Sequence, residues 1–191
     1  MEQLRLQREI VGVIISHFVW DTAPSNGYSK EICTVSQDRR SIYLREDDYF
    51  FRTFFGDVSL NEGIHYWEIV ADARTEHELK IGVSKSKQCD QRTAFCDYEF
   101  GWAFFGVGQL RHHSNANGTS YGRVFKRQGV LGVYLNMNKG TLSFAIDGQY
   151  FGVAFEDEKL KSGPIYPAVS ILHNAGCTLV SGRPPPFYFF E

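Results

Sequence analysis

Residues Gly129 to Phe155 read GVLGVYLNMNKGTLSFAIDGQYFGVAF, and this stretch decides the fold. Apolar side chains recur at every second position in three successive runs: Leu131, Val133 and Leu135; Leu142, Phe144 and Ile146; Phe151, Val153 and Phe155. A period of two is that of strands with one buried face, so the spacing predicts three strands. Asn136 to Gly140 has the composition of a short hairpin loop, and Asp147-Gly148 is a two-residue turn whose residues tolerate positive φ. The unit is an antiparallel meander with one apolar face. Nothing in the chain has the length and period of a long helix, so a second sheet must cover that face.

Working outward, the remaining segments repeat the pattern. Short strands are expected within Val11–Trp20, Ile32–Ser36, Ser41–Leu44, Tyr49–Phe55, Gly63–Ala71, Leu79–Val83, Gly101–Phe105, Gln109–His112, Ile165–Ile171 and Cys177–Val180. The turn formers Asp21 to Gly27 close the first of these, and Met1 to Glu9 reads as a short helical turn or a frayed end. Lys85–Phe100, Ser114–Gly122 and Glu156–Gly163 are loops. The run Tyr49-Phe50-Phe51-Arg52-Thr53-Phe54-Phe55 is too rich in rings for a half-buried strand, so some of them are expected to reach a surface. About a dozen short strands make an all-β protein: a sandwich of two antiparallel sheets with little helix. Its parts are an N-terminal extension over 1–12, the sandwich over 13–182 and a Pro-rich C-terminal segment over 183–191. Trp67, Leu131, Val133, Phe144, Val153 and Tyr166 are expected in the core.

The 191 residues, 43% hydrophobic and 15% aromatic, suffice for one domain that buries about 70% of its unfolded surface. A net charge of −2 leaves no cationic excess for a phosphate backbone, which argues against nucleic acid. No apolar run reaches membrane-spanning length, and Ile10–Trp20 lacks a cleavage pattern, so a soluble, unprocessed, cytoplasmic chain is expected. Cys33, Cys89, Cys96 and Cys177 are scattered without metal-ligand spacing and read as reduced thiols. No cofactor and no metal are expected. Gly118-Thr119-Ser120-Tyr121-Gly122 matches G-x-S-x-G but lies between polar loops, whereas a nucleophile elbow needs a strand before it and a helix after it. His112 and His113, adjacent on a strand, point to opposite faces. Catalysis therefore has no candidate constellation.

From Val130 through Tyr166-Pro167-Ala168-Val169-Ser170 the chain resembles the C-terminal half of SPRY domains, which carry G-T-L-S-F, a D-G turn and Y-P-A-V-S. Upstream, Asp21 to Pro24 with Ser36 to Leu44 resembles the PRY segment of tripartite-motif proteins, and Gly63 to Ile69 resembles the H-Y-W-E-V strand of the family. Lys80-Ile81-Gly82-Val83 is similar to the family's G-V-A strand. The resemblance implies a bent, concanavalin-like jelly roll whose loops at one end bind a protein or an extended peptide, often as the recognition part of a ubiquitin ligase, in a domain monomeric by itself. A branch with a SOCS box is also similar at Arg45 to Asp48 and at Leu142 to Tyr150, but where that branch has a Val-Trp-Gly peptide-binding segment this chain has Leu172-His173-Asn174.

Carried onto the loops that the resemblance implicates, a partner surface would draw on Phe54, Phe55, Phe95, Tyr98, His113, Tyr121, His173 and Asn174, because aromatic anchors and a few polar groups carry most interface energy. Phe54, His173 and Asn174 are expected to share one shallow pocket. The alternative is a glycan-binding sandwich, with Trp102 as stacking platform and Asn115 and Asn117 as hydrogen-bonding partners.

Overall fold

The structure is a computed structural model that describes residues 11–22, 31–90 and 92–190. The readings made for Met1 to Glu9 and for most of the turn cluster, Ala23 to Gly27, lie outside the described residues. In chain order the strands are β1 (Cys33–Val35), β2 (Ser41–Leu44), β3 (Phe51–Phe55), β4 (Ile64–Ala71), β5 (Leu79–Ser84), β6 (Gly101–Phe105), β7 (Gln109–His112), β8 (Thr119–Ser120), β9 (Val130–Asn136), β10 (Thr141–Ile146), β11 (Gln149–Glu156), β12 (Tyr166–Leu172) and β13 (Gly176–Val180). They form a seven-stranded sheet in the order β1-β2-β13-β4-β9-β10-β11 and a six-stranded sheet in the order β3-β12-β5-β6-β7-β8. Every pairing between these strands is antiparallel. The only helical pieces among the described residues are single 3₁₀ turns at Phe95–Asp97, Glu158–Lys161 and Phe187–Phe189.

The meander is the centre of the larger sheet. Trp67 on β4 pairs with Val133 on β9, which pairs with Phe144 on β10, so three inward side chains lie in one row. They meet Ile81, Val83, Trp102, Phe104 and Val169 from the smaller sheet in a single core, where the Phe104 and Phe144 rings sit 5.7 Å apart. The Asp147-Gly148 turn has φ of 50° and 79°, as a two-residue hairpin of the primed type requires. Asp147 adds a bond of its own, accepting the Val130 N–H through Oδ1.

Two expectations fail for reasons of backbone geometry. Val153 is 54% exposed, because β11 carries two bulges: Ala145 faces Tyr150, Ser143 faces Val153 and Leu142 faces Phe155. Each extra residue reverses the in-and-out alternation, and Gly152, at φ 88°, supplies one of them. Phe151, Ala154 and Phe155 pack on the core instead. Val11–Trp20 is not a strand. It crosses both sheets and touches them through isolated bridges, Val13 to Ile64 and Trp20 to Gly56. Trp20 anchors it, fully buried with its indole N–H on the Arg40 carbonyl at 2.9 Å.

The outer face of the larger sheet is also covered. Tyr188, Phe189 and Phe190 fold back over Ile64, Tyr66, Tyr134 and Ala145, with Phe189 stacked on Tyr134 at 4.9 Å. The four cysteine thiols are free, and burial pushes those of Cys33 and Cys96 up to about 12.

His65 ties the crossing segment to β4. Its ring lies buried between Ser16 Oγ, 2.8 Å from Nδ1, and the Glu62 carbonyl, 2.7 Å from Nε2. Burial lowers its pKa from the ordinary value, and the Glu62 carbonyl opposes that shift only in part. A histidine whose folded pKa is depressed binds its proton more readily unfolded, so it contributes stability above the unfolded value near 6.5 and loses it as pH falls below that value. Stability measured by urea melts should therefore decline below about pH 6.5, and His65→Asn should flatten that decline. An unchanged slope in the variant would show that another group carries it.

Candidate functional site

The aromatic run resolves by strand parity. Within β3, Phe54 turns into the core between the sheets at 4% exposure, while Phe51, Thr53 and Phe55 face the other way. That outer face is not open either. The turn Phe95–Asp97 lies over it, packing Phe95 on Phe55, Ala103 and Ala168. Phe54, Phe55 and Phe95 are thus buried packing residues in this conformation. Tyr121 also packs against the core, and its hydroxyl donates to the Gly152 carbonyl at 2.6 Å. Tyr98 is half-buried, stacked on Phe100 at 5.0 Å, with its hydroxyl accepting the Asp90 N–H. His113 is exposed, at φ 48°, immediately after the end of β7. Trp102 is 1% exposed and stacked on His112, so the platform imagined for a sugar is core.

What remains at the surface gathers at one corner. β12 ends at Leu172, and the chain reverses through His173 in the left-handed region at φ 56°, a conformation that costs a non-glycine residue on the order of 1–3 kcal/mol. The turn lies beside the residues that lead into β3. Tyr49, 74% exposed, stacks flat on the His173 imidazole with centroids 4.6 Å apart and planes 7° from parallel. Asn174 Nδ2 donates to His173 Nε2 at 3.2 Å and to Asp47 Oδ1 at 3.5 Å. In the neutral ring this leaves the proton on Nδ1, a buried atom with no hydrogen-bond partner. Phe50, 40% exposed, carries the Arg92 guanidinium 4.7 Å over its face.

The turn that displays Tyr49 is held by an ion pair. Arg52 forks onto Glu46 through Nε, 2.9 Å from Oε2, and Nη2, 2.5 Å from Oε1, with both side chains largely buried. The guanidinium holds the Glu46 carboxyl below the usual carboxylate range. Bidentate geometry of this kind fixes orientation as well as charge. The corner thus presents a rigid aromatic plate rimmed by an amide, a carboxylate and a guanidinium. A surface of this kind is suited to binding by desolvation of its rings. Of the sequence-derived residues it unites His173 and Asn174. Tyr49, Phe50, Asp47 and Arg92 were not among them, although Tyr49 and Phe50 belong to the run expected to reach a surface.

Among the described residues there is no group of three or more His, Cys, Asp or Glu side chains that could hold a metal, and no helix long and apolar enough to cross a membrane. Residues 64–184 match the family model described as SPRY domain. The chain belongs to the SPRY domain family. SPRY domains generally serve as protein-interaction modules without catalysis of their own.

This SPRY chain is 31% identical over 163 residues to Protein gustavus of Drosophila melanogaster, an alignment covering 71% of the chain and 56% of that protein. It is 32% identical over 126 residues to the Probable ATP-dependent RNA helicase ddx1 of Dictyostelium discoideum, covering 66% of the chain and 15% of the helicase. The chain therefore spans little more than half of one relative and a small part of the other. Its fold is that of the TRIM65 PSpry domain, with a TM-score of 0.66 at 19% identity over 94% of this chain and 98% of that one.

Proposed function

We propose that this SPRY domain reads an extended segment of a partner protein through the corner formed by Asp47 to Phe50, Arg92 and Leu172 to Asn174, without chemistry of its own. One observation carries the reading: a ring 74% exposed, stacked on a histidine whose backbone is held in a costly conformation. An isolated exposed tyrosine is ordinary. One braced by a second ring, an amide and a buried ion pair is preorganised, which is what an interface anchor needs. Resemblance to the PRY segment of tripartite-motif proteins supports placing the domain as the target-recognition part of a cytoplasmic ubiquitin ligase or adaptor.

The test begins with peptides selected from a displayed random 12-residue library. Tyr49→Ala, His173→Ala and Asn174→Ala should each weaken the selected peptides by about 1–2 kcal/mol, roughly five- to thirtyfold in Kd, with melting temperatures within a few degrees of the parent. Phe54→Ala should instead destabilise the domain by about 3–5 kcal/mol. Peptides that bind all three surface variants as well as the parent would move the recognition surface elsewhere.

A further inference from the structure

Beside the displayed corner, the outer face of the six-stranded sheet holds a second polar cluster. Register puts Lys80 of β5 opposite Phe105 of β6, and Arg111 of β7 opposite Ala103, two residues along the same face. Both cations are buried, Lys80 at 2% exposure and Arg111 at 8%. The Lys80 ammonium lies 3.1 Å from Asp97 Oδ1 and 4.1 Å from the Phe51 ring centre, and the Arg111 guanidinium lies 5.4 Å from the Phe105 ring centre. Asp97 is engaged elsewhere, Oδ1 with Lys80 and Oδ2 with the Ala94 N–H at 3.0 Å, and neither Nε nor Nη1 of Arg111 has a hydrogen bond to it.

Arg111 is therefore short of partners. Nη2 donates to the neutral Gln109 amide at 2.9 Å, while Nε and Nη1 are buried with no acceptor. A buried unsatisfied donor is costly, more so when charged, and such groups in native structures call for a cause. The cluster holds two cations and one carboxylate, so it lacks one negative charge and an acceptor that suits a planar fork. A carboxylate meets both needs. A doubly charged phosphate would overshoot, because Asp97 already neutralises Lys80.

We infer that Arg111 is the receptor for an Asp or Glu side chain of the partner segment, seated beside Phe105 with Lys80 and Asp97 as its fixed surroundings. This rests on the peptide-reading role of the neighbouring corner and extends it to a ligand chemistry. The polar loop Ser114 to Gly118 also packs against Arg111, through Gly118. Gly118 approaches so closely that a Cβ there would fall 3.0 Å from Arg111 Nε and 2.9 Å from Gln109 Oε1. The hairpin that carries this loop is closed by two residue pairs, Gln109 with Ser120 and Leu110 with Thr119, and residues 115–120 are exposed. Lifting the loop opens the guanidinium to a ligand arriving along the sheet.

The test uses peptides selected on the parent domain from the same displayed 12-residue library, then synthesised with each acidic residue changed to its amide. One acidic position should be common to them, and its amide version should bind the parent at least tenfold more weakly. Arg111→Met, which keeps an apolar stem against Phe105, should weaken the acidic peptide at least tenfold, should not weaken the amide peptide further, and should melt at or above the parent temperature because the orphan donors are gone. Peptides that bind with no acidic requirement, yet depend on His173, would overturn the carboxylate inference and leave the recognition reading standing. Inorganic phosphate or a phosphopeptide stabilising the parent but not Arg111→Met would overturn it in favour of a phosphate site. Failure to enrich any peptide would sink the recognition reading and this inference together. Should Arg111→Met fail to fold, the amide peptides on the parent decide alone, and equal affinity of acid and amide rejects the site.

Discussion

Replacing Asp97 by Ala should lower stability by about 3–5 kcal/mol, the cost of leaving a buried charge without its partner. Lys80 is 2% exposed, and its ammonium has Asp97 as its ion-pair partner, with the Phe51 and Phe105 rings supplying the rest of its surroundings. The same carboxylate accepts the Ala94 N–H and so closes the turn that lays Phe95 over Phe55. Removing it strands a cation and loosens the cover of one sheet face at once. At this chain length each kcal/mol moves the melting temperature by about 2–4 °C, so the shift should be easy to read. The control is Asp97→Ala combined with Lys80→Met, which deletes both charges and should recover most of the loss, as replacing a buried pair by apolar groups often does. Urea melts with unchanged slope would report stability alone. A single variant costing under about 1 kcal/mol, or a double variant no better than the single, would mean that Lys80 reaches water and that the face is open.

That pair also marks what the sequence could and could not disclose. In Leu79-Lys80-Ile81-Gly82-Val83 a lysine alternating with apolar residues reads as the solvent side of a strand, and Arg111 reads likewise. Parity does put both on the face away from the main core. What it cannot tell is that a 3₁₀ turn more than ten residues away in sequence lies over that face. The same ignorance explains Phe54 and Phe55: consecutive residues of a strand covered on both sides are both buried, so an aromatic run has no exposed register, and its exposed rings are Tyr49 and Phe50, just before the ladder begins. The meander was legible because β9 and β10 keep strict alternation and the Asp147-Gly148 turn allows positive φ. It failed at Val153, where bulges reset the phase. Of the candidate corner, His173 and Asn174 were legible from resemblance, whereas the stack on Tyr49 is a tertiary contact between residues 124 positions apart, which no local pattern encodes.

Ending the chain at Gly182, where the apolar alternation stops, should damage the domain more than any single substitution. Residues 183–191 read from sequence as a Pro-rich C-terminal segment in which Phe187 to Phe190 pair as an edge strand or pack under the sandwich; the second alternative holds, with Phe189 and Phe190 6% and 9% exposed. The Phe189 ring stacks on Tyr134 at 4.9 Å and contacts Tyr66 and Tyr150 at 5.6 Å and 5.1 Å. Removing one buried phenylalanine typically costs about 3–5 kcal/mol, against a total stability of about 5–15 kcal/mol for a domain. Losing both rings would also bare Ile64, Tyr66, Tyr134 and Ala145 as a contiguous apolar patch on the central strands of the larger sheet. The truncated protein should therefore collect in the insoluble fraction or melt at least about 10 °C lower, with Phe189→Ala intermediate. Phe187, 73% exposed in the same segment, provides the internal control, since its change to Ala should leave the melt unmoved. A soluble 1–182 chain melting with the parent would make the segment an appendage, because two rings that stabilise the sheet cannot be removed without loss.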